Sequence, residues 1–300
     1  MMFYFLPDPV KGLLSILLYA VNTILLSIPL ILAALFKFII PIQGFVILID
    51  RVLIRIATLW IQINAWHTRI FCKIEWEIFG LEKLEKKEWY LILSNHQSWV
   101  DILALQFTLN RRIPMLKFFL KKELIWIPFL GLAWWALDFP FMKRYSKKRL
   151  QTHPHLKGKD LERTKRACEK FKHTPVTVIN FVEGTRFSPD KNKRQNTEFT
   201  HLLNPKAGGI AFVLGSMGDY LHKIIDVTIV YPDGVPSFWD FLCGRVHKIT
   251  LSFDVLPITS QLQGDYFNDP AYKQSFYNWL NRLWQTKDQK IARLKDHSRN

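Results

Sequence analysis

The N-terminal quarter of the chain is dominated by one long apolar run. Residues Gly12 to Phe36 are 25 consecutive residues without a charged side chain. At about 1.5 Å per residue, a helix of this length can cross the hydrocarbon core of a bilayer. Pro29 lies inside the run, and lipid-embedded helices tolerate such a residue. A cleaved signal peptide is disfavoured because the run is too long and no small-residue cleavage site follows it. The pattern predicts a membrane helix.

The pattern becomes amphipathic after this run. A second uncharged run, Phe38 to Ile49, is too short to span and starts beside Pro41, which favours a re-entrant or interfacial segment. Polar residues then recur near helical spacing among apolar ones and predict an amphipathic helix. These polar residues are Arg51, Arg55, Thr58, Gln62 and Arg69. Two interpretations stay open: the helix lies at lipid head groups, or it packs on its own domain.

Charges flank the long apolar run unequally. Only Asp8 and Lys11 precede it, whereas basic residues accumulate after it. By the positive-inside rule, this asymmetry places the remainder of the chain in the cytoplasm.

The remainder alternates short apolar runs with helical patterns. The predicted strands are Trp89–Leu93, Val176–Phe181, Val227–Val230 and Val246–Val255. The predicted helices are Asp101–Leu109, Asp160–Lys172, Gly209–Leu221 and the basic, amphipathic Asp269–Leu294. Residues Ser188–Arg194 are polar and predict a mobile loop. This alternation predicts an α/β fold, with a central β-sheet flanked by helices and active residues in loops at strand ends.

We therefore expect three regions. Residues 1–73 form the membrane-spanning and interfacial helices, residues 74–260 form the catalytic α/β domain, and residues 261–300 form a C-terminal basic amphipathic helix.

Composition narrows the possible partners. The formal net charge of +16 comes from 41 basic against 25 acidic residues, which implies an anionic partner such as nucleic acid, a lipid surface or a phosphorylated substrate. The apolar N-terminus disfavours nucleic acid. Cys72, Cys168 and Cys243 are far apart without a CxxC motif, so they indicate buried thiols in a reducing compartment, and neither a disulfide framework nor a zinc site.

The first chemical candidate is a His-x4-Asp pattern at His96 and Asp101. The same spacing recurs at His155 and Asp160, but that pair lies in a polar loop running into a helix. His96 instead follows an apolar strand, and Asp101 opens the next helix. An imidazole held by a carboxylate can take a proton from an attacking hydroxyl. His96 alone would more often be a structural histidine.

Two further clusters also follow apolar stretches. Glu183, Gly184, Thr185 and Arg186 come directly after a predicted strand, where glycine allows close backbone approach and arginine offers a planar fork matched to phosphate. An ordinary strand-end turn with a solvated arginine is the alternative. Two more cationic sites, Lys121–Lys122 and Lys143–Arg144, lie near other predicted junctions. Basic residues scattered in this way usually form a solvated face, which we expect for Lys122, Lys143 and Lys147. The sequence has no GxSxG, GxGxxG, Walker or HExxH motif.

Together these clusters resemble the conserved blocks of the glycerolipid acyltransferase superfamily, whose best-known members are the lysophosphatidic acid acyltransferases. The Asn-His-x-Ser-x-x-Asp block matches Asn95, His96, Ser98 and Asp101. The other blocks match Phe141–Arg144, Glu183–Arg186 and Val227–Pro232, with Tyr231 in the position before the last proline. The whole chain also resembles a bacterial inner-membrane branch, the YihG-type probable acyltransferases.

The resemblance implies roles for individual residues. His96 would be the general base and Asp101 its partner. The substrate site would comprise Asn95, Ser98, Lys121, Arg144, Glu183, Gly184, Thr185 and Arg186. Acyl-CoA or acyl-carrier protein would be the donor, with no metal or cofactor, and the acceptor would be a lysophospholipid, most simply lysophosphatidic acid giving phosphatidic acid.

Other functions remain open on the sequence. The enzyme could remodel another lysophospholipid, such as lysophosphatidylglycerol or lysocardiolipin, or the chain could be a non-catalytic membrane-binding protein on the same fold. The intact His96, Asp101 and Glu183–Arg186 set speaks against the last alternative. The expected location is the bacterial inner membrane, with the catalytic domain facing the cytoplasm and an anionic lipid surface as a partner.

Overall fold

The described part of the chain combines a helical hairpin with an α/β domain. A computed structural model describes residues 3–142, 174–218 and 220–297. Its helices are α1 (Asp8–Ile39), α2 (Gln43–Phe71), α3 (Val100–Leu109), α4 (Leu130–Ala136), α5 (Pro189–Gln195), α6 (Ala207–Met217), α7 (Phe238–Leu242) and α8 (Pro270–His297). Its strands are β1 (Glu75–Phe79), β2 (Tyr90–Ser94), β3 (Leu116–Phe118), β4 (Leu120–Lys121), β5 (Phe141–Met142), β6 (Thr177–Phe181), β7 (Lys223–Val230) and β8 (Lys248–Pro257).

The hairpin consists of α1 and α2, which pack against each other through buried polar contacts. The Asn22 side-chain amide donates to Asn64 Oδ1 at 2.7 Å and to the Trp60 carbonyl at 3.1 Å, and the Tyr19 and Thr68 hydroxyls are 2.9 Å apart. Buried amides are stable only when they are hydrogen-bonded, so these contacts fix the register of the two helices.

The predicted boundaries of these helices need one correction. The predicted apolar helix is confirmed, and α1 continues through Pro29. The amphipathic helix begins at Gln43 rather than near Arg51, because most of the second uncharged run is its first two turns. Pro41 separates the two helices, as its missing backbone N–H and fixed φ favour.

Helix α1 is apolar on the outside. It is 32 residues long, and only 17% of its most apolar 18-residue stretch is buried. By length and composition, it could cross a membrane. Its exposed large apolar side chains include Leu13, Leu17, Leu25 and Leu32. Such a continuous exposed apolar face is typical of a surface that meets lipid.

Helix α1 is bound to the α/β domain near both of its ends. Near the N-terminal end, Asp8 pairs with Arg245 at 3.1 Å and the Ser15 hydroxyl donates to the Leu242 carbonyl at 3.2 Å. At the C-terminal end, Lys37 pairs with Asp138, which follows α4. The hairpin therefore lies along the side of the domain.

The main sheet has the strand order β1-β8-β7-β2-β6-β3. Strand β2 is fully buried and pairs in parallel with both β6 and β7, whereas β7 and β8 are antiparallel. Ser94 at the end of β2 is opposite Phe181 on one side and Val227 on the other. The carboxyl ends of these three strands consequently meet at one edge of the sheet, where α/β folds present functional groups.

Helices cover both faces of this sheet. Leu91 and Leu93 of β2 pack in a core with Ile210 of α6 and Trp284 of α8. Tyr90 and Ile92, which alternate with them, pack on the other face in a core with α3 and α7. The C-terminal helix thus buries its apolar stripe in the domain, as its alternation of apolar and basic residues allows.

Several predicted elements differ in the structure. The predicted loop Ser188–Arg194 is largely the helix α5, because the Ser188 side chain accepts from Lys191 N and Pro189 takes the first helical position. Strands β1 and β3 were not predicted; they are short and lie at the two edges of the sheet. The predicted helix Asp160–Lys172 lies outside the described residues, as do Arg144 and the second His-x4-Asp pair.

Candidate active site

His96 and Asp101 lie at the junction between β2 and α3. His96 is the second residue after β2, and Asp101 is in the first turn of α3. His96 Nδ1 is 2.8 Å from Asp101 Oδ2. The predicted pair is therefore formed, and it directs the imidazole through Nδ1, which leaves Nε2 as the nitrogen that can act on a substrate.

The Asp101 carboxylate is fully buried and surrounded by donors. Oδ2 also accepts from the backbone N–H groups of Gln97 and Ser98, at 2.6 and 2.9 Å, and Oδ1 accepts from the Tyr231 hydroxyl at 2.6 Å. These donors compensate the burial of a charge and fix the carboxylate in one orientation. An anchored carboxylate can in turn hold the imidazole in one tautomer.

Tyr231 is the site residue that the sequence analysis missed. It was noted only because it precedes Pro232 in the fourth block, yet it is 2% exposed and its hydroxyl reaches Asp101. Burial, together with the Asp101 charge, raises the pKa of Tyr231 well above its usual value, so the hydroxyl stays protonated and donates. A buried tyrosine at the end of a central strand was the available signal, since such hydroxyls require partners.

The His96 ring stacks on an aromatic neighbour. Its centroid is 4.0 Å from that of Phe181, the last residue of β6, and the planes differ by 20°. Phe118 continues the row, at 6.3 Å from Phe181. The imidazole is thus held on one edge by Asp101 and on one face by Phe181, which restricts its rotation.

Asn95 and Ser98 anchor the loop that carries His96. The Asn95 side chain exchanges two 2.9 Å hydrogen bonds with the backbone of Ile229 in β7, and it is fully buried. The Ser98 hydroxyl donates to the Pro236 carbonyl at 2.6 Å and accepts from Val100 N. Their role in substrate binding stays a prediction.

Glu183 links two loops from beneath the site. It is fully buried, with Oε1 accepting from His96 N at 2.8 Å and Oε2 from Leu203 N at 2.9 Å. Burial raises the pKa of Glu183 to about 8, although the two N–H donors oppose this shift. Glu183 therefore positions His96 through the His96 backbone, and its predicted role in the substrate site stays a prediction.

The residues after Glu183 form a cationic rim. Gly184 has a φ of 67°, a backbone conformation that favours glycine, and the turn also brings the Lys206 side chain close to it. The Lys191 ammonium donates to the Thr185 hydroxyl at 3.0 Å and to the Arg186 carbonyl at 2.8 Å. The exposed Arg186 guanidinium lies 4.9 Å from the centre of the Trp99 ring. Lys191 and Trp99 were not predicted.

Arg186 is tied to the catalytic loop through its neighbour. The backbone N–H of Phe187 donates to the His96 carbonyl at 2.7 Å. The backbone after the Thr185–Arg186 turn is therefore joined to the backbone of His96.

Lys121 lies in a separate two-stranded sheet. It pairs with Met142, two residues before Arg144, and its side chain is exposed. Within the described residues, no hydrogen bond or ion pair joins Lys121 to the other predicted site residues.

Comparisons with known proteins agree with this geometry. A family model described as Acyltransferase matches residues 75–231, from the first residue of β1 to Tyr231. The mouse 1-acyl-sn-glycerol-3-phosphate acyltransferase epsilon is 25% identical over 234 residues, covering 71% of this chain and 60% of that protein. The chicken lysocardiolipin acyltransferase 1 is 24% identical over 221 residues, covering 68% of this chain and 53% of that protein. The chain thus spans little more than half the length of these curated relatives.

A solved structure has the same fold along nearly the whole chain. The crystal structure of the 1-acyl-sn-glycerophosphate acyltransferase of Thermotoga maritima aligns with a TM-score of 0.50 at 17% identity, covering 96% of this chain and 98% of that one. The family match covers more than half of the chain and contains the complete His96, Asp101 and Glu183 geometry. The chain therefore belongs to the family that this model describes as Acyltransferase.

Proposed function

We propose that this protein transfers a fatty acyl group from acyl-CoA or acyl-carrier protein to the free hydroxyl of a lysophospholipid, converting lysophosphatidic acid to phosphatidic acid. The observation that carries the proposal is the His96–Asp101 pair, whose carboxylate is fixed by two backbone N–H groups and the Tyr231 hydroxyl. A histidine with a purely structural role does not require a partner carboxylate that three donors fix in one orientation.

The chemistry is a direct transfer. His96 Nε2 takes the proton from the acceptor hydroxyl as its oxygen attacks the thioester carbonyl. Asp101 stabilises the imidazolium that forms. When the tetrahedral intermediate collapses, the C–S bond breaks and the imidazolium returns its proton to the departing thiolate. Ser98 does not serve as a nucleophile, because its hydroxyl donates to the Pro236 carbonyl.

The acceptor phosphate binds at the cationic rim. Arg186 offers a planar pair of N–H donors, and Thr185 and Lys191 lie on the same turn. Arg144 and Lys121 complete the site in this proposal, by resemblance. No metal or cofactor takes part.

The membrane supplies the acceptor. The exposed apolar face of α1 enters lipid, and the net charge of +16 attracts the anionic cytoplasmic leaflet of a bacterial inner membrane. The α/β domain then faces the cytoplasm, where acyl-CoA and acyl-carrier protein are found.

A second acceptor class has one observation in its favour. The named relatives include a lysocardiolipin acyltransferase with nearly the same identity as the lysophosphatidic acid enzymes. Lysocardiolipin and lysophosphatidylglycerol carry phosphodiesters instead of the phosphomonoester of lysophosphatidic acid. The doubly charged monoester suits the Arg186 and Lys191 rim better.

The test is acyl transfer by the purified full chain in detergent. A panel of lysophosphatidic acid, lysophosphatidylglycerol and lysocardiolipin is offered with acyl-CoA and, separately, acyl-carrier protein. Lysophosphatidic acid should give the highest kcat/KM, and His96→Ala and Asp101→Ala should each lower kcat by at least about 10²-fold. A His96→Ala protein with near wild-type turnover would refute the mechanism, and a higher kcat/KM for lysocardiolipin would reassign the acceptor.

A further inference from the structure

A cavity with positively charged residues in its lining lies away from His96. It has a volume of about 370 Å³ and is formed where the end of α2, strand β1 and the end of α3 meet. Thr108 lines it in the last turn of α3, seven residues after Asp101. At 1.5 Å per helical residue, the cavity is roughly 10 Å from Asp101 along α3. It is therefore a site separate from the catalytic junction.

The polar lining of the cavity is positively charged. Arg69, Lys73 and Arg112 border it, and no aspartate or glutamate is among the described residues that line it. Within the described part of the chain, none of the three cations forms an ion pair with an acidic side chain. All three residues are exposed, so they make the mouth of the cavity positively charged, which favours an anionic ligand rich in acceptor oxygens.

The remaining walls are apolar and lie beside exposed aromatic residues. Ile74, Trp76 and Phe107 line the cavity, so part of the ligand is nonpolar. Trp66 of α2 is 61% exposed and Phe5 is 71% exposed, and each neighbours a lining residue in sequence. Exposed aromatic side chains next to cations are typical of the membrane–water interface.

We propose that this cavity binds a phosphate group, carried by an anionic membrane lipid or by a free phosphate ester, as a non-catalytic second site. Arg69 and Arg112 offer planar forks to the phosphate oxygens, and Lys73 adds a point charge. Occupation of this site by a lipid would hold the end of α2 and strand β1 at the membrane surface. The proposal does not depend on the acceptor assigned to the catalytic site.

Binding is measured on the purified full chain in a neutral detergent, by calorimetric titration. One arm uses a short-chain diacyl phosphatidylglycerol, with the matching phosphatidylcholine as the zwitterionic reference. The other arm uses inorganic phosphate. We expect saturable binding of one phosphatidylglycerol per chain at this site and much weaker binding of phosphatidylcholine, whose choline cation is repelled. Saturable binding of inorganic phosphate alone would assign the site to a free phosphate, and absence of both would overturn the proposal.

Variants separate this site from the general positive charge. The triple variant Arg69→Gln, Lys73→Gln, Arg112→Gln should lose the saturable binding. The matched triple Lys83→Gln, Lys86→Gln, Lys87→Gln removes the same charge from an exposed segment and should retain it. Equal losses in the two triples would mean that the chain attracts anions only by its net charge, and the proposed site would be wrong.

Discussion

At the scale of single residues, the site is built from side chains that hold other side chains. Among the described residues around the His96–Asp101 junction, His96 Nε2 and the cationic rim offer groups for a substrate. Asn95, Ser98, Asp101, Glu183 and Tyr231 use their polar atoms within the protein. The sequence blocks that resemble the family therefore contain residues that position the site as well as residues that offer groups to a substrate. The spacing of these residues alone does not distinguish the two kinds.

Tyr231→Phe should test the positioning role of the hydroxyl. Loss of this donor leaves Asp101 Oδ1 unpaired in a buried site, so kcat should fall about tenfold while the acceptor KM stays nearly constant. The unshared Asp101 charge should also stabilise the imidazolium more strongly, which moves the acid limb of the pH–rate profile to higher pH.

The control for this variant is Tyr90→Phe. That hydroxyl accepts from Glu85 N at the opposite end of β2, so its loss should leave kcat and the pH profile unchanged. A Tyr231→Phe protein with the wild-type pH profile would make Tyr231 a packing residue only.

Arg186→Lys should separate binding of the two substrates. The lysine keeps the positive charge but loses the planar fork, so the acceptor KM should rise severalfold while the acyl-donor KM changes little. The exposed Arg194 on α5 provides the control, as Arg194→Lys should alter neither constant. Equal increases in both KM values would indicate a structural role, and an unaltered acceptor KM would remove Arg186 from the site.

At the scale of elements, the contacts of the α1–α2 hairpin differ from those expected of a helix that crosses a bilayer. A helix that crosses a bilayer and leaves its domain on one side can contact that domain at one end only. Helix α1 instead contacts it near both ends, through Asp8 with Arg245 and Lys37 with Asp138. We therefore expect α1 to lie with its apolar face in one leaflet, where buried apolar surface supplies the attachment.

Epitope tags at the two ends of the full chain test this topology. In sealed inside-out vesicles, protease should remove the tags before α1 and after α8 together, because a helix that stays in one leaflet leaves both ends on the same side of the membrane. High salt should not release the protein, since its attachment is mainly apolar. Protection of the N-terminal tag alone would show that α1 crosses the bilayer.

Sequence patterns predicted the individual strands better than the way in which those strands pair in the sheet. Apolar runs predicted β2, β6 and β7, since a strand buried on both faces is largely hydrophobic. Strand β8 was predicted although its polar and apolar residues alternate. The edge strand β1 was missed because Glu75 and Glu77 interrupt its pattern; Thr250 of β8 donates to Glu77. The convergence of β2, β6 and β7 on one site depends on long-range parallel pairing, which local periodicity does not contain.

At the scale of the whole molecule, Glu183 couples the site to overall stability. It joins the loop after β6 to the His96 backbone and to Leu203, whose carbonyl accepts from Trp284 of α8. The pKa of Glu183 is raised to about 8 in the folded protein by burial. The folded state consequently holds a proton that the unfolded chain has lost over the interval between the ordinary glutamate pKa and about 8.

Stability should therefore decrease as pH rises through this interval. A raised folded-state pKa contributes stability fully at low pH, and the contribution is lost by at most about 1.4 kcal/mol per pH unit as the pH approaches the folded value. Thermal unfolding of the full chain in detergent, followed by tryptophan fluorescence from pH 5 to 8, should show a steeper fall in Tm for the wild type than for Glu183→Gln, which has no proton to lose. The exposed Glu82→Gln should behave like the wild type. Equal slopes in all three proteins would mean that Glu183 keeps an ordinary pKa, and a wild type that gains stability over Glu183→Gln as pH rises would mean that His96 N and Leu203 N hold it as a carboxylate throughout.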